Sequence, residues 1–71
     1  METLNNVYIR YKLNEKILTT EEVEENKHLF NPKCFNSSEK VNAILKLREE
    51  IKNTSAILYI HQDFTFSHEL I

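Results

Sequence analysis

Glycine is absent from all 71 residues of this chain. Phosphate-binding loops and the tightest turns depend on glycine, because a residue without a Cβ enters the positive-φ region at no steric cost. The absence therefore excludes a phosphate loop and a dinucleotide-binding fingerprint. Asparagine is the next most tolerant residue at positive φ, so we expect it to form the turns. The asparagines spaced for this role are Asn5, Asn6, Asn14, Asn31, Asn36 and Asn53.

Cysteine, net charge and long apolar runs are also scarce. Cys34 is the single cysteine, which rules out an internal disulfide and is typical of a reducing compartment. The net charge is −2, which gives no electrostatic reason to bind nucleic acid or an anionic membrane. No apolar run approaches the roughly 20 residues of a membrane helix, and the N-terminus lacks the pattern of a signal peptide. We therefore expect a cytoplasmic protein that does not insert into membranes.

The length fits one small domain that spans residues 1–71. Hydrophobic residues make up 41% of the chain, which is enough for a folded domain and argues against disorder. A chain this short buries only about 60% of the surface that it exposes when unfolded. We therefore expect a marginal core that gains stability from a partner or from homo-oligomerisation.

The first third of the chain has the pattern of a β-hairpin. After a polar lead-in at residues 1–6, apolar and polar side chains alternate through residues 7–13, which predicts a strand with one wet face. Asn14 and Glu15 can turn the chain, and residues 16–19 then pair back as a short second strand. This turn signal is weaker than an Asn-Gly pair, which is the strongest predictor of a two-residue hairpin turn.

Residues 19–31 permit two interpretations. A candidate capping box at residues 19–22 and a following Asn-Pro stop indicate a short helix. The stretch has few apolar side chains, however, so the alternative is a polar loop at 19–26 followed by a strand at 27–31. The next residues form a connector, in which we expect Phe35 to fill the core.

An amphipathic helix is the strongest feature of the sequence. Asn36 or Ser37 can cap its start, and the spacing of Asn36 and Glu39 matches a capping box. A polar run that begins at Asn53 ends the pattern, because such side chains favour turns over helix interiors. We expect one apolar arc along this helix. Its members are Val41, Ile44, Leu45, Leu47 and Ile51.

A strand follows the helix directly. Residues 56–60 are apolar, rich in strand formers and too few to make another helix. Beyond them, Phe64 and Phe66 alternate with polar residues, as in a half-buried strand or an extended segment. The whole chain therefore predicts an α+β fold in which one main amphipathic helix packs on a small sheet.

Reactive side chains do not form a recognisable site in the sequence. The histidines, Cys34 and Asp63 match no common zinc spacing, and nothing in the sequence brings Cys34 beside a histidine as a nucleophile pair. We expect no catalytic residue, no metal and no cofactor. An acidic cluster at residues 21–25 is most simply a solvated helix start or loop, and alternatively a face for a basic partner. Its members are Glu21, Glu22, Glu24 and Glu25.

A resemblance to a known family lies in residues 57–67, which read ILYIHQDFTFS. In this segment an apolar strand with a tyrosine leads through a polar turn to a phenylalanine and then to a serine. It resembles the ubiquitin-like autophagy modifiers, and most of all the autophagy-related protein twelve type. The predicted helix and first hairpin fall where that family has them. The resemblance implies a β-grasp (ubiquitin-like) fold, or an incomplete version of it.

The resemblance also implies a function. A modifier-like subunit of this kind binds autophagy-related protein five, and the pair helps a conjugating enzyme to transfer a lipid-linked modifier to phosphatidylethanolamine. The subunit is then a scaffold without chemistry of its own. On this basis we expect a protein-binding module whose partner is an autophagy-five-type subunit. The residues that we expect to contact the partner are Tyr59, His61, Phe64 and Phe66, although the aromatic ones can also belong to the core.

This chain departs from the family pattern in three ways. The family joins its C-terminal glycine to a partner lysine, and because this chain has no glycine we expect non-covalent association or a truncated product. Phe66 stands where the family has proline. The last strands of the family fold are missing, and one of them lies between the strands that correspond to 7–13 and 56–61. We therefore expect strand edges that are open to another chain.

A second hypothesis belongs to another class of function. The chain is then a small homodimeric regulatory or inhibitor protein, and the acidic cluster at residues 21–25 faces a basic target. Replacing the four glutamates by glutamine distinguishes the two hypotheses, because only the second one needs their charge.

Overall fold

The structure, a computed structural model, describes residues 6–71, so residues 1–5 of the polar lead-in lie outside the described part. The strands form one sheet, a main helix packs against it, and the fold is α+β as predicted. This arrangement is compatible with a β-grasp or an incomplete version of it. The elements are β1 (Val7–Leu13), β2 (Lys16–Ile17), α1 (Thr20–Glu25), 3₁₀ turns at Lys27–Leu29 and Pro32–Cys34, α2 (Ser38–Glu50), β3 (Ala56–His61) and β4 (Phe66–Leu70).

The sheet has the strand order β2-β1-β3-β4. β1 and β3 are parallel and pair from Val7 with Ala56 to Lys12 with His61, while the two outer strands pair antiparallel. No further strand of the described chain lies between β1 and β3, which are direct neighbours. The α2 crossover is long enough to return β3 beside β1, so the pair closes without a further strand.

The β1–β2 hairpin confirms the turn at Asn14 and Glu15. Both residues have positive φ, 51° and 70°, which a turn of type I′ requires at its two central positions. Residues 16–19 were expected to pair back, and the strand itself covers Lys16–Ile17. The ladder continues for one further bond, in which the amide of Leu18 donates to the carbonyl of Tyr11 at 2.9 Å.

Residues 19–31 form a short helix and a 3₁₀ turn, so the alternative of a strand at 27–31 is wrong. The predicted capping box is present: the Thr19 hydroxyl accepts from the Glu22 amide at 3.1 Å, and the Glu22 carboxylate accepts from the Thr19 amide at 2.9 Å. These bonds satisfy the amides at the start of α1. Val23 is buried and holds the helix on the core despite its few apolar residues.

The start of α2 is capped by Ser37, whose hydroxyl accepts from the amide of Lys40 at 3.1 Å. The expected capping box between Asn36 and Glu39 is wrong, because the helix begins one residue later than that spacing requires. Ser37 has the extended backbone of an N-cap, which places Lys40 at the third helical position.

The apolar arc predicted for α2 is only partly buried. Leu47 and Ile51 are buried and Ile44 is half-buried, as expected for the side that faces the sheet. Val41 and Leu45 are 53% and 49% exposed, so the sheet covers only part of the predicted apolar arc. One helix on a small sheet can bury only the stripe directly above the strands, and these two side chains lie at its flank.

The core has two clusters that meet at Ile9 and Phe66. The second cluster lies under α2, and its buried members are Leu47, Ile51, Ala56 and Leu58. The first lies under α1 and the 3₁₀ turns, and its buried members are Leu18, Val23, Phe30, Cys34 and Ile60. Phe35 packs against the first cluster and stacks on Tyr11 with 5.1 Å between ring centroids, which confirms its expected place.

Candidate functional site

One face of the sheet carries no helix of the described chain. Ala56, Leu58 and Ile60 of β3 point to the helices and are buried, so the intervening residues of β3 must point to the other side. The registers place their neighbours on the same side. We call this surface the open face. Its residues are Tyr8, Arg10, Lys12, Ile17, Ile57, Tyr59, His61, Ser67 and Glu69.

Tyr59 lies at the centre of the open face. Its hydroxyl donates to the Glu69 carboxylate at 2.8 Å, and Lys12 Nζ lies 4.8 Å from the centroid of its ring. The hydrogen bond to Glu69 is the main cause that raises the pKa of Tyr59 above its ordinary value, because only the protonated phenol can donate it, and the negative charge of Glu69 adds to the effect. These two contacts hold the Tyr59 side chain in place on the open face.

His61 extends the same surface toward the β3–β4 turn. Its Nε2 lies 2.9 Å from the Ser67 hydroxyl, and the ring is half-buried beside Lys12, its partner in the parallel register. Tyr59 and His61 are thus brought together by the two-residue period of β3. Of the four residues that were expected to contact a partner, these are the two that lie on β3.

Phe64 and Phe66 lie on the opposite side. Phe66 pairs with the buried Ile60. The ring of Phe64 packs edge-on against the ring of Phe66, with 5.0 Å between their centroids. Both rings are half-buried and contact the first core cluster. The structure therefore separates the four residues into two pairs, one on the open face and one beneath the helices.

The turn that contains Phe64 has unusual backbone geometry. Phe64 has a φ of 65°, in the left-handed region that bulky residues avoid. Its amide donates to the His61 carbonyl at 2.9 Å, and the His61 amide donates to the Thr65 carbonyl at 2.9 Å. The Asp63 carboxylate accepts from the Thr65 hydroxyl at 2.7 Å, which is the main cause of its lowered pKa. These bonds fix the turn that reverses β3 into β4.

The sequence did not single out Tyr8 and Ile17 as site residues. Tyr8 is 43% exposed and Ile17 is 47% exposed, both on the open face. The alternation in residues 7–13 placed Tyr8 on the wet side of its strand. Its position beside β3 depends on the parallel pairing of β1 with β3, however, and a single sequence does not encode that pairing in a readable form.

The acidic cluster is not uniform. Glu22 serves the fold, because its carboxylate accepts from the Thr19 backbone and from Lys16 Nζ at 3.2 Å. The bond to the Thr19 amide and then the one to Lys16 lower the pKa of Glu22. Glu21, Glu24 and Glu25 are exposed and remain available to solvent.

Cys34 is fully buried, and its Sγ lies 3.2 Å from the backbone carbonyl of His61, which accepts the thiol hydrogen. Burial raises the pKa of this thiol, which favours the inert protonated form. Within residues 6–71, no group of three histidine, cysteine or acidic side chains could hold a metal ion. The same residues contain no helix with the length and apolar character needed to cross a bilayer.

No protein-family model, curated protein or solved structure matches this chain. The candidate site therefore depends on the geometry of the open face.

Proposed function

We propose that this chain is a protein-binding module without catalytic activity, which contacts its partner through the open face. We further propose a ubiquitin-like role in autophagy-type lipid conjugation, in which the chain associates non-covalently with an autophagy-five-type subunit. The first proposal is carried by one observation: a four-stranded sheet with an uncovered face that has exposed apolar side chains at Tyr8 and Ile17. The second proposal adds the resemblance in residues 57–67 to that observation.

The composition of the open face supports protein binding. Aromatic and arginine side chains are enriched at protein interfaces, and here Tyr8, Tyr59 and Arg10 occupy adjacent positions on β1 and β3. Lys12 and Glu69 hold the Tyr59 ring from two sides, so little side-chain entropy remains to be lost on binding. A preorganised aromatic centre with a polar rim is the usual composition of a binding hot spot.

The resemblance in residues 57–67 supports the choice of partner. In this proposal the chain works as a scaffold that holds the partner subunit near the conjugating enzyme. Tyr59 and His61 make direct contact, whereas Phe64 and Phe66 support the turn from beneath. Of the contacts expected from the sequence, this proposal keeps the two on β3, and it adds the open-face residues of β1 and β2.

The test is a binding experiment with a matched pair of surface variants. Ile17→Ser and Leu45→Ser remove apolar side chains of nearly equal exposure, 47% and 49%, one on the open face and one on α2. The chain and each variant are mixed with a purified autophagy-five-type protein and measured by light scattering and calorimetry. We expect a one-to-one complex that Ile17→Ser and Tyr59→Ala weaken about tenfold or more and Leu45→Ser leaves unchanged.

Two results would contradict the proposal. Absence of any complex at concentrations of about 100 μM would remove this partner, since specific modules of this size bind more tightly. A complex that Leu45→Ser weakens and Ile17→Ser does not would move the interface to the helix side. Circular dichroism of each variant confirms that the fold survives.

A second candidate function is carried by α1, where Glu21, Glu24 and Glu25 remain exposed. In this alternative the chain is a small homodimeric regulator that presents these carboxylates to a basic target. Replacing the three by glutamine while keeping Glu22 leaves the capping box intact. Target binding that disappears in this variant and recovers at low ionic strength in the parent would favour the alternative.

A further inference from the structure

The two outer edges of the sheet differ in how they are protected. β2 covers the end of β1, and the Arg10 guanidinium donates to the carbonyl of Ile9 at 2.9 Å, so part of the remaining β1 edge is already bonded. β4 borders no further strand of the described chain. Of the usual devices against edge pairing, β4 has no lysine, no proline and no bulge in its ladder with β3, and Glu69 is its one acidic side chain.

The backbone of β4 is oriented for a further strand. The His61 amide donates to the Thr65 carbonyl, and the Ile71 amide donates to the Ser55 carbonyl at 2.8 Å. Backbone groups alternate along a strand, so odd-numbered residues from 65 to 71 bond to β3. The amides and carbonyls of Phe66, His68 and Leu70 therefore point outward along the free edge.

We propose that two copies of this chain pair through this edge, β4 against β4 and antiparallel, about a two-fold axis at His68. In this register Phe66 of one copy lies opposite Leu70 of the other, and Ser67 lies opposite Glu69. Both pairs occur twice by symmetry. The proposal is independent of the partner proposed above, because the chain alone forms this interface.

The side chains of β4 make this register self-complementary. Leu70 is 59% exposed and lies on the helix side of the sheet, where it gains apolar contact from the half-buried Phe66 of the other copy. Ser67 carries no charge, so it faces Glu69 without repulsion. A shift of the register by one residue would place the outward amides and carbonyls of one copy opposite groups of the other copy that already bond to β3, so the ladder could not form. A shift by two residues would place Ser67 opposite Ser67 or Glu69 opposite Glu69, and Phe66 would no longer lie opposite Leu70.

The paired sheet has eight strands, four from each copy. The two-fold axis is perpendicular to the sheet, so both open faces point to the same side. Pairing therefore leaves Tyr59 accessible and gives a bivalent binding surface, which raises the avidity for a repeated or dimeric partner. The edge contact is small, and we expect a weak dimer.

The first test measures self-association of the unmodified chain. Sedimentation velocity up to about 1 mM protein is expected to show a reversible monomer–dimer equilibrium. Hydrogen exchange followed by NMR then gives the register: protection of the Phe66, His68 and Leu70 amides rises with concentration, whereas the Ser67 and Glu69 amides are protected throughout by β3. A chain that remains monomeric, or a dimer that leaves these outward amides unprotected, overturns the proposal.

The second test uses opposite changes at one exposed position. Ser67→Lys places a cation opposite Glu69 of the other copy, and Ser67→Glu places an anion there; both lose the contact of Ser67 with His61 equally. Two cross-strand ion pairs per dimer change the dissociation constant by about 2- to 30-fold. We expect Ser67→Lys to tighten the dimer and Ser67→Glu to loosen it. Equal or reversed effects overturn the register.

A third variant removes the pairing group itself. His68→Pro deletes an amide that points outward and makes no bond to β3, and proline is tolerated at such edge positions. The variant is expected to be monomeric at all concentrations while its unfolding transition remains cooperative. A dimer that persists in folded His68→Pro overturns the proposal, because the two-fold axis passes through this residue.

Discussion

The two faces of the sheet are built by alternate residues of the same strands, yet they serve different purposes. On β3, Ile60 is fully buried under the helices, while its neighbour Tyr59 stays half-exposed and is held by hydrogen bonding and a cation. Burial supplies most of the folding free energy, so the covered face stabilises the domain. The open face can therefore retain aromatic and charged groups at little cost to the fold.

The largest expected difference between the faces comes from one pair of isoleucines. Ile60→Ala empties a fully buried position and should cost about 2–5 kcal/mol of unfolding free energy. Ile57 has the same side chain on the open face and is only half-buried, so Ile57→Ala should cost less than half as much. Urea denaturation measures both. Equal losses would show that the open face is as much a part of the core as the covered one.

For a domain of this length the total stability is about 4–11 kcal/mol, so Ile60→Ala can unfold much of the population. Ile60→Val removes one methyl group and should cost about 0.5–1.5 kcal/mol, which keeps the comparison measurable. A cost for Ile60→Val below that of Ile57→Ala would contradict the assignment of the two faces.

Local patterns in the sequence were sufficient to predict most of the helices and strands. The alternation in residues 7–13 predicted β1, the Thr19–Glu22 spacing matched the capping box, and the apolar run after Asn53 predicted β3. Each of these signals depends on neighbours a few residues apart. The two-residue period of such a strand also explains why Tyr59 and His61 lie on one face of β3.

Features that depend on contacts between distant residues could not be predicted from the sequence. The direct pairing of β1 with β3 joins residues nearly fifty positions apart, and it decides that Tyr8 and Arg10 belong to the open face. The exposure of Val41 and Leu45 depends on how much of α2 the sheet can cover, which the helix pattern does not specify. The alternation in residues 63–67 predicts extended backbone at Phe64, whereas Phe64 lies in the turn before β4 with a φ of 65°, a conformation that only the tight turn requires.

The second prediction concerns the strained residue on the covered side. Phe64→Gly and Phe64→Ala both remove the ring, but only glycine relieves the left-handed backbone at φ 65°. The left-handed region costs other residues about 1–2 kcal/mol. We therefore expect Phe64→Gly to be more stable than Phe64→Ala by up to about 1 kcal/mol, after the greater entropy loss of glycine is subtracted. Thermal and urea unfolding measure the difference.

Phe66 is the control for this comparison, because it lies in β4 with extended backbone. There Phe66→Gly should be less stable than Phe66→Ala by about 0.5–1 kcal/mol. The same order of stability at both positions would contradict the assigned backbone of Phe64.

The third prediction concerns a variant that should change the stability of the domain without changing binding at the open face. Glu15 occupies a type I′ turn at φ 70°, and its weak ion pair with Lys12 spans 4.0 Å at the surface. Glu15→Gly should stabilise the hairpin by about 0.5–1 kcal/mol, since Asn-Gly is the preferred pair for this turn. Partner binding should change little, because Glu15 lies outside the open face and an exposed ion pair at 4.0 Å does little to hold Lys12. A less stable variant would show that Glu15 does not carry the positive φ.

The smallest expected effect is a dependence of stability on pH, which has a different cause on each side of the sheet. Glu22 of the covering helix α1 has a pKa lowered by its bonds to Thr19 and Lys16. Its contribution is therefore present above the ordinary value of 4.5 and is lost as the pH falls through the lower folded pKa. Tyr59 of the open face has a pKa raised by Glu69, so its contribution is present below the ordinary value of 10.0 and is lost as the pH rises through the higher folded pKa.

The free energy of unfolding should therefore fall at both acid and alkaline pH, for different reasons. Glu22→Gln should flatten the acid side, apart from the share of Asp63, whose pKa is also lowered. Tyr59→Phe should flatten the alkaline side and leave the acid side unchanged. Loss of both slopes in either single variant would mean that the two faces titrate as one unit. Independent loss would support a fold in which the open face can change its charge while the covered face keeps the sheet intact.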